Sequence, residues 1–284
     1  MITLDSILDI QLYQHKSGYR FSADAVLLSV FVDTPRLKKI ADFGAGSGII
    51  GLLLAKKYHA AEVTLIELQK SLVSLAEKNA VLNGLDKRVK VVHADIKDVK
   101  SVSSEEEKPR NAEEAKCEHK KDRPGNTACG SREAWKLEHG MLHSYDLVVS
   151  NPPFRKTRTG LISPYDERAV ARHEIHLPIA ALMKSALLML KHHGRLCIIH
   201  LPERLAEIME SMRRYYLEPK RLRFVHSNFG AEAKMVLIEA VKEGKAGLKV
   251  EKPLYLYTED GNYTAEVRAI YNRPLPNGET CDGL

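Results

Sequence analysis

Two short motifs in this 284-residue chain carry residue types that chemistry can use. Asp42-Phe43-Gly44-Ala45-Gly46-Ser47-Gly48 closes one apolar run and opens a helix-forming stretch. Glycine at alternate positions lets the backbone turn sharply from strand to helix and approach a ligand closely. Further on, Asn151-Pro152-Pro153-Phe154 closes a second apolar run of strand type, Tyr145-Asp146-Leu147-Val148-Val149-Ser150. An exocyclic amine on a base or an amide is a poor nucleophile, because its lone pair is delocalised. Hydrogen bonds from its two N–H groups to the Asn151 side-chain carbonyl and the Pro152 backbone carbonyl shift the nitrogen towards a tetrahedral, reactive form. The prolines lack N–H groups and fix the turn, so those carbonyls can be aimed. Phe154 offers a ring face on which a planar group can stack. Either motif alone is unspecific: the first also suits a dinucleotide fold, and the second an ordinary turn. In this order they describe the two halves of one site, a nucleotide-like methyl donor in the first and a planar NH2 group in the second.

Acidic residues sharpen the donor half. Glu67 ends the run Glu62-Val63-Thr64-Leu65-Ile66-Glu67 and can accept both ribose hydroxyl protons. Asp95 follows Val89-Lys90-Val91-Val92 and can accept from an adenine amino group. Asp42 lies near the cationic methionine part of the donor. Acids at the ends of three successive strands line the carboxyl edge of a sheet, where open α/β folds bind ligands. A sulfonium suits a carboxylate at Asp42 better than a pyrophosphate does, which favours S-adenosylmethionine (SAM) over NAD. Gly44, Gly46, Gly48, Asp42, Glu67 and Asp95 are therefore the candidate SAM residues.

Positioning these residues requires alternating strands and helices, hence a mostly parallel sheet covered on both faces. Strands are expected at 40–43, 62–67, 89–92, 145–150 and 196–200, with helices at 49–57, 71–83, from Pro178, and at about 203–215. Gly84 should stop the second of these helices and Gly194 the third. Residues 222–226 and 235–241 read as a final hairpin-related pair. The organisation expected is an N-terminal lid segment over 1–35 and a catalytic domain over 36–284. That domain carries a disordered insertion at 98–142, crowded with charged residues and poor in large apolar ones. Cys117, His119, Cys129, His139 and His143 fall inside the insertion at spacings that match no familiar zinc site, so no metal is expected.

Composition is that of a soluble globular protein whose basic surplus suits a polyanionic partner, although many basic proteins bind none. Hydrophobic residues make up 44% and charged residues 28%, ordinary for a globular protein, and the formal net charge is +6. The four cysteines show no C-x-x-C spacing, which suits a reduced, cytoplasmic chain. No run approaches the ~20 apolar residues that span a bilayer, and the N-terminus lacks the pattern of a signal peptide. Arg155, Lys156, Arg158 and Arg172 crowd the segment after Phe154, where they could grip RNA phosphates or form an ordinary solvated loop. Lys220, Arg221 and Arg223 could extend the same surface.

With these residues in view, the chain resembles the class I Rossmann-like methyltransferases that modify exocyclic amines through an [N/D]-P-P-[Y/F/W] motif. Within them it resembles the bacterial tRNA1(Val) adenine-37 N6-methyltransferase family. The stretch Gln14-His15-Lys16-Ser17-Gly18-Tyr19-Arg20-Phe21-Ser22-Ala23-Asp24 is similar to that family's N-terminal signature. So are Asn151 to Phe154, Ala171-Arg172-His173-Glu174-Ile175, Glu218-Pro219-Lys220-Arg221 and Glu266-Val267-Arg268. The resemblance implies a seven-strand, mostly parallel sheet whose last strand is antiparallel. It places SAM contacts on Asp42, Gly44, Gly46, Glu67, Asp95 and Asn151. It implies N6-methylation of an unpaired adenine in RNA, in a tRNA anticodon loop; separately, no membrane and no obligate protein partner are expected. Phe154 stands where many of these relatives have Tyr. Guanine-N2 methylation of rRNA and N5-methylation of a protein glutamine are the alternatives.

Overall fold

The computed structural model describes residues 2–15, 23–99, 141–152 and 178–272. Its centre is β3 (Lys39–Phe43), in which Ile40, Ala41, Asp42 and Phe43 are all fully buried. A strand buried on both faces must be a nearly continuous apolar run, and from Ile40 to Phe43 this one is, except for Asp42. β3 pairs in parallel with β4 (Glu62–Glu67) on one side and with β6 (Tyr145–Ser150) on the other. β5 (Val89–His93) extends the sheet beyond β4, and β7 (Leu190–His200) beyond β6, both in parallel. Next to β7 lies β9 (Ala233–Lys242), antiparallel to it, followed by β8 (Leu217–His226), antiparallel to β9. Two short strands, β10 (Lys249–Val250) and β11 (Leu254–Tyr255), run parallel to β8 at the far edge. The sheet is thus the expected seven strands, with one running against the rest, plus these two additions.

The chain winds first one way from β3 and then the other. β3, β4 and β5 are linked through α2 (Ile49–Lys57) and α3 (Lys70–Leu82); β6 then returns to the other side of β3. The strand order therefore reverses between β3 and β6, and a crevice at the carboxyl ends of the strands opens at such a point. α2 is buried on nearly every side from Ile49 to Ala55, as its uninterrupted apolar sequence requires. Each buried leucine in it contributes roughly 1.5–3 kcal/mol. α1 (Ala23–Phe31) packs into the same core, which also receives Leu147, Val149, Cys197 and Ile199 from one face of the sheet. The opposite face, with Phe43, Val148, Leu196 and Ile198, is covered by α4 (Ile179–Met189) and α5 (Leu205–Arg214).

Helix ends follow local chemistry where glycine allows it. α3 closes with Gly84 at φ +66°, Gly84 N–H donating to the Val81 carbonyl and Leu85 N–H to the Ala80 carbonyl. This is the Schellman arrangement expected of a terminal glycine. Gly194, expected to end α4, does not. That helix stops at Met189, Leu190 already has extended backbone, and β7 begins there. Residues 191–194 bulge out between the pairings Tyr145↔Leu190 and Leu147↔Arg195. A Cβ at Gly194 would lie 2.9 Å from the Lys191 carbonyl oxygen and 3.0 Å from that of Tyr145. The glycine is thus required by the bulge. Pairing of β7 with β6 decided the boundary over the local helix-stop signal.

The N-terminal residues form a separate hairpin of β1 (Ile2–Ile7) and β2 (Ile10–His15). Ile10 and Leu12 enter the core beneath α1 and α2. The exposed edge of β2 is clamped by α3: Asn83 bonds both ways with the Gln11 backbone, and Asn79 does the same with Tyr13. Residues 16–22 of the expected lid, and 100–140 of the expected insertion, lie outside the described residues. At the C-terminal end, Glu266, Val267 and Arg268 lie in α6 (Ala265–Asn272). No helix among the described residues is long and apolar enough to cross a membrane.

Candidate active site

The turn between β3 and α2 has the backbone its glycines permit. Gly44, Gly46 and Gly48 have φ of +68°, +59° and +92°, a region that side chains with a Cβ rarely adopt. The turn is held in place by long-range contacts. The Ile66 carbonyl, near the end of β4, accepts from the N–H groups of Gly44 at 2.9 Å and Ala45 at 3.1 Å. Asn79, fully buried in α3, donates to the Ser47 carbonyl at 2.9 Å. At Gly48 a Cβ would meet Leu65 at 2.9 Å, so the helix start presses closely on β4.

Glu67 ends β4 beside this turn. One carboxylate oxygen accepts from Gly46 N–H at 2.9 Å and the other from Gln69 N–H at 2.8 Å. Burial raises its pKa, and the hydrogen bonds from Gln69 and Gly46 partly offset that. Each carboxylate oxygen has a second lone-pair site, so Glu67 can still accept from hydroxyl groups.

Asp42 is fully buried below the turn and accepts from Gly51 N–H, in the first turn of α2, at 2.9 Å. Burial pushes its pKa up to about 7, against the opposing Gly51 hydrogen bond, with the nearby Glu67 charge adding to the rise. Its Oδ1, and the Oγ of Ser47, have no hydrogen-bond partner among the described residues. A buried acceptor and a buried hydroxyl without such partners, one at each end of the glycine turn, fit a polar and cationic ligand. Asp95 lies two residues past β5, accepts from Lys97 N–H at 3.0 Å and pairs with the Lys97 ammonium at 3.1 Å. Ala94 N–H donates to the Glu67 carbonyl at 3.1 Å, which ties the β5 end to the β4 end. Asp42, Gly44, Gly46, Gly48, Glu67 and Asp95 thus all lie along one sheet edge.

Asn151 and Pro152 leave the sheet next to that edge. Ser150 is the register partner of Phe43, and its hydroxyl donates to the Phe43 carbonyl at 2.9 Å. The glycine turn and the Asn-Pro turn therefore begin from adjacent positions, about 4.8 Å apart across the sheet. Asn151 is partly exposed and Pro152 buried. Phe154, Arg155, Lys156, Arg158 and Arg172 lie outside the described residues.

The other basic candidates do different work. Arg221 pairs with Glu239 at 3.0 Å and Glu251 at 3.4 Å and lies over the Phe31 ring. Arg223 pairs with Glu266 at 2.7 Å, and Lys220 donates to the Lys245 carbonyl. Asn79 is a contributor that the sequence pattern does not single out: from α3 it holds both the glycine turn and β2. A polar residue at a core position of an amphipathic helix is the signal that could have marked it.

Comparison with known proteins agrees with this geometry. A family profile described as "Methyltransferase small domain" matches residues 21–106. A tRNA1(Val) (adenine(37)-N6)-methyltransferase of Porphyromonas gingivalis is 29% identical over 224 residues, covering 78% of this chain and 73% of the relative. One of the same description from Tolumonas auensis is 25% identical over 261 residues and covers 90% of each. A third, from a Flavobacteriaceae bacterium, is 24% identical over 186 residues, and the match spans 61% of that relative's length. Among solved structures, a predicted O-methyltransferase from Agrobacterium tumefaciens superposes with a TM-score of 0.63 at 20% identity, covering 88% of this chain and 95% of that one. The fold is that of the class I methyltransferases, and the relatives carry the family description that the sequence resembles.

Proposed function

We propose that this chain is a SAM-dependent N-methyltransferase of the tRNA1(Val) adenine-37 N6-methyltransferase family, acting on N6 of an unpaired adenine in a tRNA anticodon loop. The observation that carries the reading is the pairing of Phe43 with Ser150, which starts the glycine turn and the Asn-Pro turn side by side. The names of the relatives from Porphyromonas gingivalis and Tolumonas auensis support the substrate. A cytoplasmic place follows from that substrate.

When bound, SAM supplies a methyl group on a positively charged sulfur. Glu67 accepts the ribose hydroxyls, Asp95 the adenine amino group of the donor, and Asp42 offers negative charge below the methionine part. The glycine turn lets the backbone approach. The Asn151 and Pro152 carbonyls accept from the target amine and aim its lone pair, and Phe154 stacks on the base. Arg155, Lys156, Arg158 and Arg172 grip phosphates. No strong base is needed, because the methylated nitrogen is acidic enough to release its proton to water. Rate acceleration comes from alignment and preorganised dipoles. An unpaired loop suits such a site, since an already single-stranded base is cheap to flip out.

The test is incubation of purified protein and SAM with unmodified transcripts of several tRNAs and rRNA fragments, followed by digestion to nucleosides. N6-methyladenosine from one tRNA is expected. N2-methylguanosine, or a methylated protein glutamine with no RNA product, overturns the reading.

A further inference from the structure

Beyond the acceptor motif, the same sheet edge carries a row of exposed aromatic rings that the chemistry above does not use. β8 runs parallel to β6, so His226 lies at the edge from which Asn151 departs. β11 pairs in parallel with β8, Tyr255 opposite His226, and the chain continues to Tyr257 beyond the edge. The turn between β8 and β9 carries Phe229 at its tip, 79% exposed. Its ring contacts the Tyr255 ring, at a centroid distance of 5.5 Å, and Tyr255 contacts His226 at 5.3 Å. Tyr257 and Tyr263 face each other across a small hairpin, stacked at 5.2 Å and 17°, and are 39% and 44% exposed.

A single exposed aromatic needs no explanation. Here Phe229 and Tyr255 form one ring pair and Tyr257 and Tyr263 a second at the same edge, and Leu254, next to Tyr255, turns inward to the core instead. A purely structural pairing accounts for Tyr257 with Tyr263, but it does not account for a phenylalanine held in water at a turn tip. Three strand spacings separate β6 from β8, about 15 Å. A few nucleotides of single-stranded RNA can cover that distance. Charges within five residues of these rings in the chain are of both signs, including Lys234 and Arg268 as well as Glu232, Glu259 and Asp260. Recognition here therefore rests on ring faces and not on phosphate attraction.

We propose that Phe229 and Tyr257, the latter backed by the stacked rings of Tyr263 and Tyr271, form a stacking platform for unpaired RNA bases that flank the nucleotide being methylated. The proposal rests on the RNA reading of the active site and extends it along the edge. Rings accept any base by stacking, so the platform holds the loop without reading its sequence.

The experiment measures KM for the tRNA transcript, kcat, SAM affinity by calorimetry and thermal melting, in wild type and in Phe229→Ala, Phe229→Leu, Phe229→Trp and Tyr257→Ala variants. Loss of one stacked base raises KM roughly 5–150-fold. The expected result is such a rise for Phe229→Ala and Phe229→Leu, recovery in Phe229→Trp, and SAM affinity, kcat and melting as in wild type. Tyr257→Ala should raise KM as well. If the wild type methylates RNA and the Phe229 variants keep its KM, the platform is wrong and the active-site reading stands. That includes the case of a patch serving a protein partner. If Phe229→Leu binds as the wild type does, apolar bulk and not ring stacking is at work, which also overturns the proposal. If the wild type methylates no RNA, the underlying reading fails and the platform with it.

Discussion

Ser150 and Phe43 are register partners in adjacent parallel strands, and the Ser150 hydroxyl donates to the Phe43 carbonyl at 2.9 Å. Each is the last residue of its strand, so this bond joins the two turns that make up the site. Ser150 is fully buried, so removing its hydroxyl leaves the strand ends less firmly matched. Ser150→Ala is expected to cost about 1 kcal/mol of stability. It should lower kcat more than SAM affinity, because donor and acceptor lose alignment. Urea unfolding and steady-state kinetics check this; a fall in SAM affinity with kcat intact would count against it.

Asn151→Ala should leave SAM binding as it is and reduce turnover by ~10²–10³, the worth of one oriented electrostatic contact. Calorimetry with SAM and single-turnover methylation measure the two quantities. Near-normal turnover would make Asn151 a turn residue only.

Glu67 holds Gly46 N–H with one oxygen and Gln69 N–H with the other. An amide has only one oxygen, so Glu67→Gln must turn an NH2 group towards one of these N–H donors. The expected cost is about 1–3 kcal/mol, seen as roughly a 10–100-fold weaker SAM affinity. Gly46→Arg, which places a long side chain at φ +59°, should abolish binding. Calorimetry on both variants tests the donor assignment, and normal affinity in either defeats it.

Asp42 makes stability depend on pH. Its pKa is raised from 3.8 to about 7 in the folded protein, so between these values the folded state holds a proton that the unfolded state has lost. Its contribution is therefore fully present below about pH 4 and is lost as pH rises through 7. Asp42→Asn keeps an acceptor for Gly51 N–H and removes the buried charge. It should stabilise the ligand-free protein at pH 8, by up to about 4 kcal/mol, with little change at pH 4. The same variant should bind SAM more weakly, a trade of stability against function. Melting curves at several pH values decide it, and equal melting of variant and wild type at pH 8 refutes it.

Asn79 bonds to the Tyr13 backbone on both sides and to the Ser47 carbonyl. Asn79→Leu fits the apolar helix stripe but strands these three backbone groups. A loss of about 3 kcal/mol is expected, together with faster hydrogen exchange at Tyr13 and weaker SAM binding. Exchange unchanged at Tyr13 would show that the clamp on β2 does not depend on Asn79.

The sequence by itself determined what is local. Apolar runs gave the parallel strands, the helical pattern over 71–83 gave α3, and Gly84 gave its end. Alternating glycines gave the turn with positive φ. These follow from side-chain periodicity and from backbone freedom within a few residues, which a sequence displays directly. Tertiary structure alone decided the rest. The start of β7 came from pairing with β6 and overrode the stop signal expected at Gly194. Arg221 and Arg223, which looked like surface cations, are committed to Glu239 and Glu266. The bond from Ser150 to Phe43 joins residues 107 positions apart. Register between distant strands fixes such contacts, and a shift of one residue would turn every side chain to the other face, so no local pattern contains them.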